Sequence, residues 1–175
     1  GKLGFIDHDV VELSNLQRQI IHNELDIGKL KVISAKEKCE KIDSNLPIII
    51  YSKKLEKENV LTIFKSFDII IDCTDNYKTK YLINDACVIL NKPLIWGTAI
   101  GFEGQISIFN YNNSPCLRCI YPNPNNNNQT CSENGVLGIN VGIVGMYQAL
   151  EAIKVAIEFD NNLSGKMKIF NCFDF

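Results

Sequence analysis

The chain has 175 residues and a mass of 19.7 kDa, a size that suits one domain. It is 46% hydrophobic and 22% charged, close to globular averages, which argues against wholesale disorder. A net charge of -2 gives no general attraction to nucleic acid or anionic membranes, so we expect neither as a partner. The sequence shows no secretory leader and no apolar run of about 18–20 residues. Its seven scattered cysteines favour free thiols or metal ligands in a cytoplasmic protein.

Short apolar or β-branched runs alternate along the chain with segments of helical periodicity. Strands are predicted, in chain order, at 3–7, 47–51, 67–72, 93–97, 105–109 and 166–170. Helices are predicted at 29–42, 56–66, 77–90 and 138–159. Strands separated by helices indicate βαβ units. The expected fold is therefore α/β, a Rossmann-like doubly wound and mostly parallel sheet, with 105–109 and 166–170 as antiparallel strands in its later part.

Hydrophobic spacing also predicts which sides of these elements face the core. The run 67–72 is nearly all apolar, which is typical of a strand buried on both faces. The residues expected on the inner faces of the helices are Leu30, Ile33, Cys39 and Ile42, then Leu61 and Phe64, then Val144, Leu150 and Ile153.

No composition break or internal repeat divides the chain, so residues 1–175 are expected to form one partial domain. Residues 122–129, Pro-Asn-Pro-Asn-Asn-Asn-Asn-Gln, have no apolar side chain to bury, and we expect a flexible surface loop there. No Gly-rich phosphate loop occurs, although nucleotide-binding folds carry one before the strand that 3–7 would form. We therefore expect the chain to be a fragment.

Asp7 follows the first predicted strand. In open α/β sheets ligands bind beyond the carboxyl ends of the strands, and an acid at such an end commonly hydrogen-bonds ribose hydroxyls. Position alone leaves two readings open: ribose recognition, or a solvated acid where the strand enters a loop.

A polar cluster, Ser14-Asn15-Leu16-Gln17-Arg18-Gln19, follows soon after. Ser14 or Asn15 could cap a short helix, from which Arg18 and Gln19 would project. Only two of the 18 basic residues are arginines, Arg18 and Arg118. An arginine in such a chain suggests a planar, bidentate donor, although an ordinary surface residue is the alternative.

Asp7-His8-Asp9 and this cluster resemble the signature of the E1-like, ubiquitin-activating adenylating superfamily. They most resemble its sulfur-carrier-activating members of the MoeB, ThiF and UBA4 (MOCS3) types. Further matches follow in the family's order: Gly28 to Val32 with Ala35, Asp72 to Asn76, Gly104 to Ile106, Pro115 to Cys119, Cys131 with Gly135 to Gly138, and Gln148 to Lys154. Together they span nearly the whole chain, which makes the set far more specific than any one motif.

The resemblance implies an adenylation reaction. MgATP and the C-terminal Gly-Gly carboxylate of a ubiquitin-like or sulfur-carrier protein would give an acyl adenylate and pyrophosphate. Asp7 would then hold the ATP ribose. The residues implied around the phosphates are Ser14, Asn15, Arg18 and Gln19. In dimeric members the counterpart of Arg18 reaches into the partner's site, so the resemblance also implies a homodimer.

Three more residues receive roles from the same resemblance. Lys31 would contact phosphate as pyrophosphate leaves, Asp75 would bind magnesium, and Asn76 would lie beside the nucleotide. From the residues alone, Lys31 could equally be a helix-surface lysine. Asp75 could equally be the N-cap of the helix from Tyr77, a role compatible with metal binding.

Cys116 and Cys119 form a single CxxC, which could be half of a zinc site, a redox pair or a coincidence. The family carries its second CxxC nearer the C-terminus, so the resemblance implies zinc in the intact protein and weak or no zinc binding by this chain. Cys131 matches a cysteine linked to thioester or acyl-disulfide chemistry in UBA4-type and ThiF-type members. MoeB-type members carry a cysteine there without obvious need, so both readings of Cys131 stay open.

Two other functions compete with the activating enzyme. The non-catalytic half of a heterodimeric E1 would keep the fold and lose part of the ATP residues, whereas Asp7, Asn15, Arg18, Lys31 and Asp75 are all present. An NAD-linked dehydrogenase would use Asp7 on a dinucleotide ribose, but it leaves the polar cluster and the CxxC unexplained.

Overall fold

The computed structural model of the chain describes residues 1–122 and 135–174. It contains two compact units, Gly1–Glu56 and Lys57–Phe175. The strands are β1 (Leu3–Ile6), β2 (Ile48–Tyr51), β3 (Ile70–Asp72), β4 (Leu94–Ile100), β5 (Glu103–Phe109) and β6 (Met167–Asn171). The α-helices are α1 (Lys31–Ile42), α2 (Val60–Phe64), α3 (Tyr77–Ile89), α4 (Leu117–Ile120) and α5 (Gly138–Ala156). No helix within the described residues is long and apolar enough to cross a membrane.

In the first unit β1 and β2 pair in parallel, with α1 between them in the chain. A parallel pair needs a long crossover connection, which the segment containing α1 provides. Leu3 aligns with Ile48, and Ile6 with Tyr51. The N–H of Asp7 then donates to the carbonyl of Tyr51 at 3.2 Å, one residue beyond β1. Asp7 therefore stands at the carboxyl end of a parallel strand, as expected.

A short antiparallel bridge between Val10 and Leu30 joins the segment after β1 to the start of α1. The N–H of Val11 donates to the Lys29 carbonyl at 2.8 Å, and the N–H of Lys31 donates to the Asp9 carbonyl at 2.9 Å. These bonds place the first residue of α1 directly beside the loop that follows β1.

The second unit is built on a four-stranded sheet in the order β3-β4-β5-β6. The β3–β4 pair is parallel, with α3 as its crossover, and the other two pairs are antiparallel. The predicted antiparallel pairing of 105–109 with 166–170 is confirmed, with Gln105 opposite Ile169. In both units strands and helices alternate along the chain up to β4, as expected.

The core of the second unit lies along β4 and β5, against which α5 packs. Leu94, Ile95, Ile106 and Ile108 are fully buried there. The rings of Trp96 and Phe109 lie 5.7 Å apart, centroid to centroid. Apolar residues of these two strands thus form the centre of the sheet.

The predicted core face of α5 is partly wrong. Val144 is buried, but Leu150 and Ile153 are 44% and 57% exposed. The buried face instead includes three polar residues, Asn140, Gln148 and Glu151. Their side chains bond backbone groups: Asn140 donates to the Glu103 carbonyl, Gln148 donates to the Asp72 carbonyl, and Glu151 accepts from the Leu163 N–H. A buried polar group that is hydrogen-bonded can lie against a sheet, which hydrophobic spacing does not anticipate.

Three further expectations need correction. Ile71 is 44% exposed, so β3 is not buried on both faces. The segment predicted as a helix at 56–66 is α-helical only over Val60–Phe64, where Phe64 is buried as expected. Ile42 is 88% exposed because α1 buries Val32 and Ser34 instead.

Gly97 of β4 allows α5 to approach the sheet closely. A Cβ at Gly97 would lie 2.6 Å from Cδ of Gln148 and 2.8 Å from Cγ1 of Val144. Gly97→Ala is therefore expected to lower the free energy of unfolding by about 1–3 kcal/mol, as overpacking does. The measurement is urea denaturation.

Gly142→Ala on α5 is the matched control, because a Cβ there meets nothing within 4 Å. A helical Gly→Ala change without a clash is expected to raise the free energy of unfolding by about 0.5–1 kcal/mol. If both changes shift stability in the same direction, the close approach at Gly97 does not govern the packing of α5.

Candidate functional site

Asp7 and Lys31 are brought together in the first unit through Asp9. The Asp7 carboxylate accepts the N–H of Asp9 at 2.9 Å. Nζ of Lys31 donates to Oδ2 of Asp9 at 3.1 Å, and the Lys31 side chain is only 14% exposed. Lys31 is therefore held at the end of β1 and is not the freely solvated helix-surface lysine of the alternative reading.

Asp7, His8 and Asp9 each place one ligand-capable atom within 4.8 Å of the others. This is the one group of three such residues in the described part of the chain. Because Lys31 already forms an ion pair with Asp9, we assign no metal to this group.

The polar cluster after β1 forms a 3-10 turn, Leu13–Asn15. Glu12, not Ser14 or Asn15, occupies the N-cap position, and the buried Asn15 accepts the Glu12 N–H at 3.1 Å. Arg18 donates from Nη1 to the Ser14 carbonyl at 3.0 Å. Oε1 of Gln19 is a buried acceptor with no partner within the described residues. The cluster thus forms hydrogen bonds within itself, and one of its buried acceptors is left without a partner in the described part of the chain.

The residues that attach this cluster to α1 were not found by sequence reasoning. His22 follows the turn, and its Nδ1 lies 2.8 Å from Oγ of the buried Ser34. Asp26 is buried and pairs with Nζ of Lys38 at 3.0 Å. Burial lowers the pKa of His22, and the Lys38 hydrogen bond lowers the pKa of Asp26 to about 2. No apolar periodicity marks these residues, because each is polar. Each of the two pairs also joins residues that are 12 positions apart in the sequence.

Asp75 and Asn76 lie between β3 and α3 in the second unit. Asn76 caps α3, with its Oδ1 accepting the N–H of Thr79 at 2.9 Å. The reading of Asp75 as the N-cap is therefore wrong by one residue. Asp75 is exposed, so its carboxylate is open to a ligand.

A buried ion pair that the sequence analysis missed lies beneath this segment. Asp72 and Lys80 are almost fully buried, and Oδ2 of Asp72 accepts from Nζ of Lys80 at 3.0 Å. Nζ also donates to the Gly97 carbonyl at 2.9 Å. A lysine at a helical position reads as solvated in a sequence, because buried lysines are rare unless they are paired.

Cys116 and Cys119 bring their sulfur atoms to 3.7 Å at the start of α4. Two sulfurs bound to one tetrahedral zinc at about 2.3 Å would be about 3.8 Å apart, so the pair fits half a zinc site. Burial raises the pKa of the Cys116 thiol, but hydrogen bonds from Cys119, Arg118 and Asn84 outweigh this, and the net effect lowers its pKa. A more acidic thiol is a better metal ligand.

Two residues of α3 hold the CxxC turn. The N–H of Leu117 donates to the buried Oδ1 of Asn84 at 2.8 Å. Arg118 makes a bidentate ion pair with Asp85 at 2.7 and 2.8 Å and lies over the Tyr81 ring. Arg118 therefore does provide a bidentate fork, but its partner is a carboxylate of this chain.

Two expectations lie outside the described residues. Cys131 falls in the segment 123–134, and so does nearly all of the Asn-rich stretch 122–129.

A family model matches the whole chain: the ThiF family, over residues 1–175. The chain belongs to the ThiF family. That assignment agrees with the resemblance carried by the ordered motifs from Asp7 to Lys154.

Curated relatives are similar to nearly all of this chain. The chain is 47% identical over 173 residues to "Adenylyltransferase and sulfurtransferase MOCS3-1" of Zea mays, covering 98% of this chain and 37% of that protein. It is 42% identical over 176 residues to "Adenylyltransferase and sulfurtransferase MOCS3" of Xenopus laevis, covering 99% of this chain and 39% of that protein. The chain thus spans well under half the length of these relatives.

Solved structures support the fold. PaaA matches with a TM-score of 0.81 at 20% identity, covering 100% of this chain and 54% of that chain. Escherichia coli MccB with ATP matches with a TM-score of 0.77 at 19% identity, covering 98% of this chain and 55% of that chain. The Rossmann-like α/β class expected from the sequence is confirmed.

Asn84→Ala removes the acceptor of the Leu117 N–H. Leaving a buried donor unsatisfied is expected to lower the free energy of unfolding by about 1–3 kcal/mol. The pKa of Cys116 should also rise, because Asn84 helps to lower it. Urea denaturation measures the first effect, and the pH dependence of iodoacetamide alkylation at Cys116 measures the second.

Asp85→Asn is the control, because it weakens an ion pair whose side chains are 44% and 42% exposed. Such pairs contribute about 0–1 kcal/mol. A larger loss for Asp85→Asn than for Asn84→Ala would mean that the Arg118 fork, not the buried amide, holds the turn.

Proposed function

We propose that the chain forms part of an ATP-dependent activating enzyme. It would adenylate the C-terminal Gly-Gly carboxylate of a ubiquitin-like or sulfur-carrier protein and release pyrophosphate. The observation that carries the proposal is 47% identity across 98% of this chain to relatives named adenylyltransferase and sulfurtransferase. The presence of Asp7, Lys31 and Asp75 supports it. Asp7 is half-buried, Asp75 is exposed, and Lys31 forms an ion pair with Asp9.

In this proposal the first unit binds the ribose and phosphates of ATP. Asp7 accepts the ribose hydroxyls, as acids at the carboxyl ends of parallel strands do. Carboxylate attack on a phosphate brings two anions together, so the reaction depends on charge neutralisation and alignment. Lys31 supplies positive charge, and Arg18 supplies a planar fork suited to phosphate oxygens. Ser14, Asn15 and Gln19 supply further polar contacts around the phosphates.

The second unit would hold magnesium through Asp75. A solvent-exposed carboxylate matches the oxygen ligands that Mg²⁺ takes together with substrate phosphates, and Asp75 has no capping role to compete with it. The bound ion would supply positive charge at the phosphates. Asn76, fixed at the start of α3, would lie beside the nucleotide.

Cys116 and Cys119 would supply two of four zinc ligands in the intact protein. Their spacing and the lowered pKa of Cys116 support this assignment.

The six described cysteines are free thiols, which supports a cytoplasmic location. We further propose that the enzyme is a homodimer in which Arg18 acts in the second copy's site. Cys131 would act after adenylation: its thiolate, or a persulfide formed on it by a separate sulfur donor, would displace AMP from the acyl adenylate and give a thioester or an acyl disulfide with the carrier.

Asp75→Ala is expected to abolish carrier-dependent exchange of pyrophosphate into ATP, because it removes the magnesium ligand. The measurement uses labelled pyrophosphate and candidate Gly-Gly carriers with the full-length gene product. Asp68→Ala, at another exposed acid before β3, is the control and should leave exchange within about twofold of the wild type. Wild-type enzyme that exchanges with no Gly-Gly carrier would contradict the proposal.

Cys131→Ala is expected to spare pyrophosphate exchange and to block later transfer of the carrier, because adenylation does not need a thiol nucleophile. Exchange and thiol-sensitive carrier adducts are measured side by side. Cys172→Ala, at a half-buried cysteine after β6, should leave both unchanged. Loss of exchange in Cys131→Ala would contradict the proposed division of labour.

A further inference from the structure

Five buried residues of the second unit surround the last residue of β3 and the middle of β4. They are hereafter the Asp72 cluster: Asp72, Lys80, Trp96, Gly97 and Gln148. No member has a place in the proposed chemistry, and none is exposed enough to reach a nucleotide. Their shared location is the end of β3 from which the chain continues to Asp75.

The hydrogen bonds of Asp72 point toward the turn that carries Asp75. Oδ1 of Asp72 accepts both the N–H of Thr74 at 2.9 Å and the Thr74 hydroxyl at 2.7 Å. Both bonds are made to the residue immediately before Asp75. The carboxylate therefore folds the Cys73–Thr74 segment over itself, as an Asx turn does.

Lys80 holds that carboxylate in place. Its Nζ donates to Oδ2 of Asp72 at 3.0 Å and to the Gly97 carbonyl at 2.9 Å, and it lies 5.6 Å from the centroid of the Trp96 ring. Lys80 belongs to α3, and Gly97 belongs to β4. The lysine therefore joins the helix after the turn to the strand beside β3, with the Asp72 carboxylate between them.

Gln148, on α5, bonds the backbone of Asp72. Its Nε2 donates to the Asp72 carbonyl at 2.7 Å. The Asp72 carbonyl and both carboxylate oxygens thus have partners, on α5, on α3 and within the turn. Because the last residue of β3 is hydrogen-bonded through its carbonyl and both carboxylate oxygens, the turn that follows has little freedom to move relative to the sheet.

We propose that Asp72 and Lys80 are positioning residues that hold the turn before Asp75 so that the Asp75 carboxylate is oriented for magnesium. The inference rests on the proposed function in that Asp75 is taken as the magnesium ligand. A stabilising role alone would not require Asp72 to accept two hydrogen bonds from Thr74, since an apolar pair of similar volume can stabilise a core equally well. Outer-shell partners of metal-binding carboxylates act in this way.

The test compares Lys80→Met with Lys80→Arg in the full-length gene product. Lys80→Met should raise the Mg²⁺ concentration for half-maximal pyrophosphate exchange by about tenfold or more, the usual effect of losing such a partner. The rate at saturating Mg²⁺ should fall much less. Lys80→Arg keeps a donor of the same charge and should recover most of the Mg²⁺ affinity.

A second pair of variants leaves the ion pair intact. Thr74→Val removes only the hydroxyl that bonds Asp72 and should also raise the Mg²⁺ requirement, whereas Thr74→Ser should not. Lys154→Met is the matched control, because it removes the partner of another buried carboxylate, Glu151, which bonds the Leu163 N–H and not the turn before Asp75. It should lower stability without changing the Mg²⁺ requirement.

Amide hydrogen exchange at Thr74 gives a readout that does not depend on activity. The Thr74 N–H should exchange slowly in the wild type and in Lys80→Arg, and faster in Lys80→Met. If the wild-type protein shows no exchange of pyrophosphate with any Gly-Gly carrier, the proposed function fails, and protection of Thr74 alone decides whether the pair holds the turn. The inference is overturned if Lys80→Met leaves the Mg²⁺ requirement unchanged, or if the Thr74 N–H exchanges equally slowly in the wild type and in Lys80→Met.

Discussion

The ion pair between Asp72 and Lys80 is the interaction on which the second unit depends most. Moving two charges out of water is unfavourable, and their attraction offsets this only when the remaining polar atoms also find partners. Here they do: Asp72 accepts from Thr74 and from Lys80, and Lys80 also donates to the Gly97 carbonyl. Because each of these bonds joins a different element, β3, β4 and α3 can shift only by leaving a buried charge unpaired.

The backbone carbonyl of Asp72 also helps to set how α5 lies on the sheet. Gln148 reaches the Asp72 carbonyl only because Gly97 has no Cβ, and Asn140 and Glu151 bond backbone groups elsewhere along the same helix face. Hydrogen bonds with defined directions therefore set the orientation of α5, and apolar burial adds to it through Val144 and Val155. This arrangement accounts for the exposure of Leu150 and Ile153, which apolar spacing assigns to the core.

The sequence predicts those parts of the fold that depend on local pattern. The alternation of strands and helices, the place of Asp7 after β1 and the antiparallel partner of β5 all follow from periods of two and 3.6 residues. The N-cap of α3 does not, because Asp75 and Asn76 are both good caps and intrinsic preference cannot separate neighbouring residues. The contact between Asp9 and Lys31 depends on the Val10–Leu30 bridge, which is too short to leave a pattern.

A consistent division separates the residues that sequence reasoning finds from those it misses. Asp7 and Asp75, two of the groups proposed to meet a ligand, lie shortly after β1 and β3, where an apolar strand gives way to polar residues. Groups that support them, namely Lys80, Asn84 and Gln148, lie within helices, where a polar residue is read as part of the solvated face. Each of these three is buried and forms a hydrogen bond with a segment distant in the sequence. Since such a bond is created only by the tertiary fold, the supporting residues of a site become visible only in the structure, even where the reactive residues are evident in the sequence.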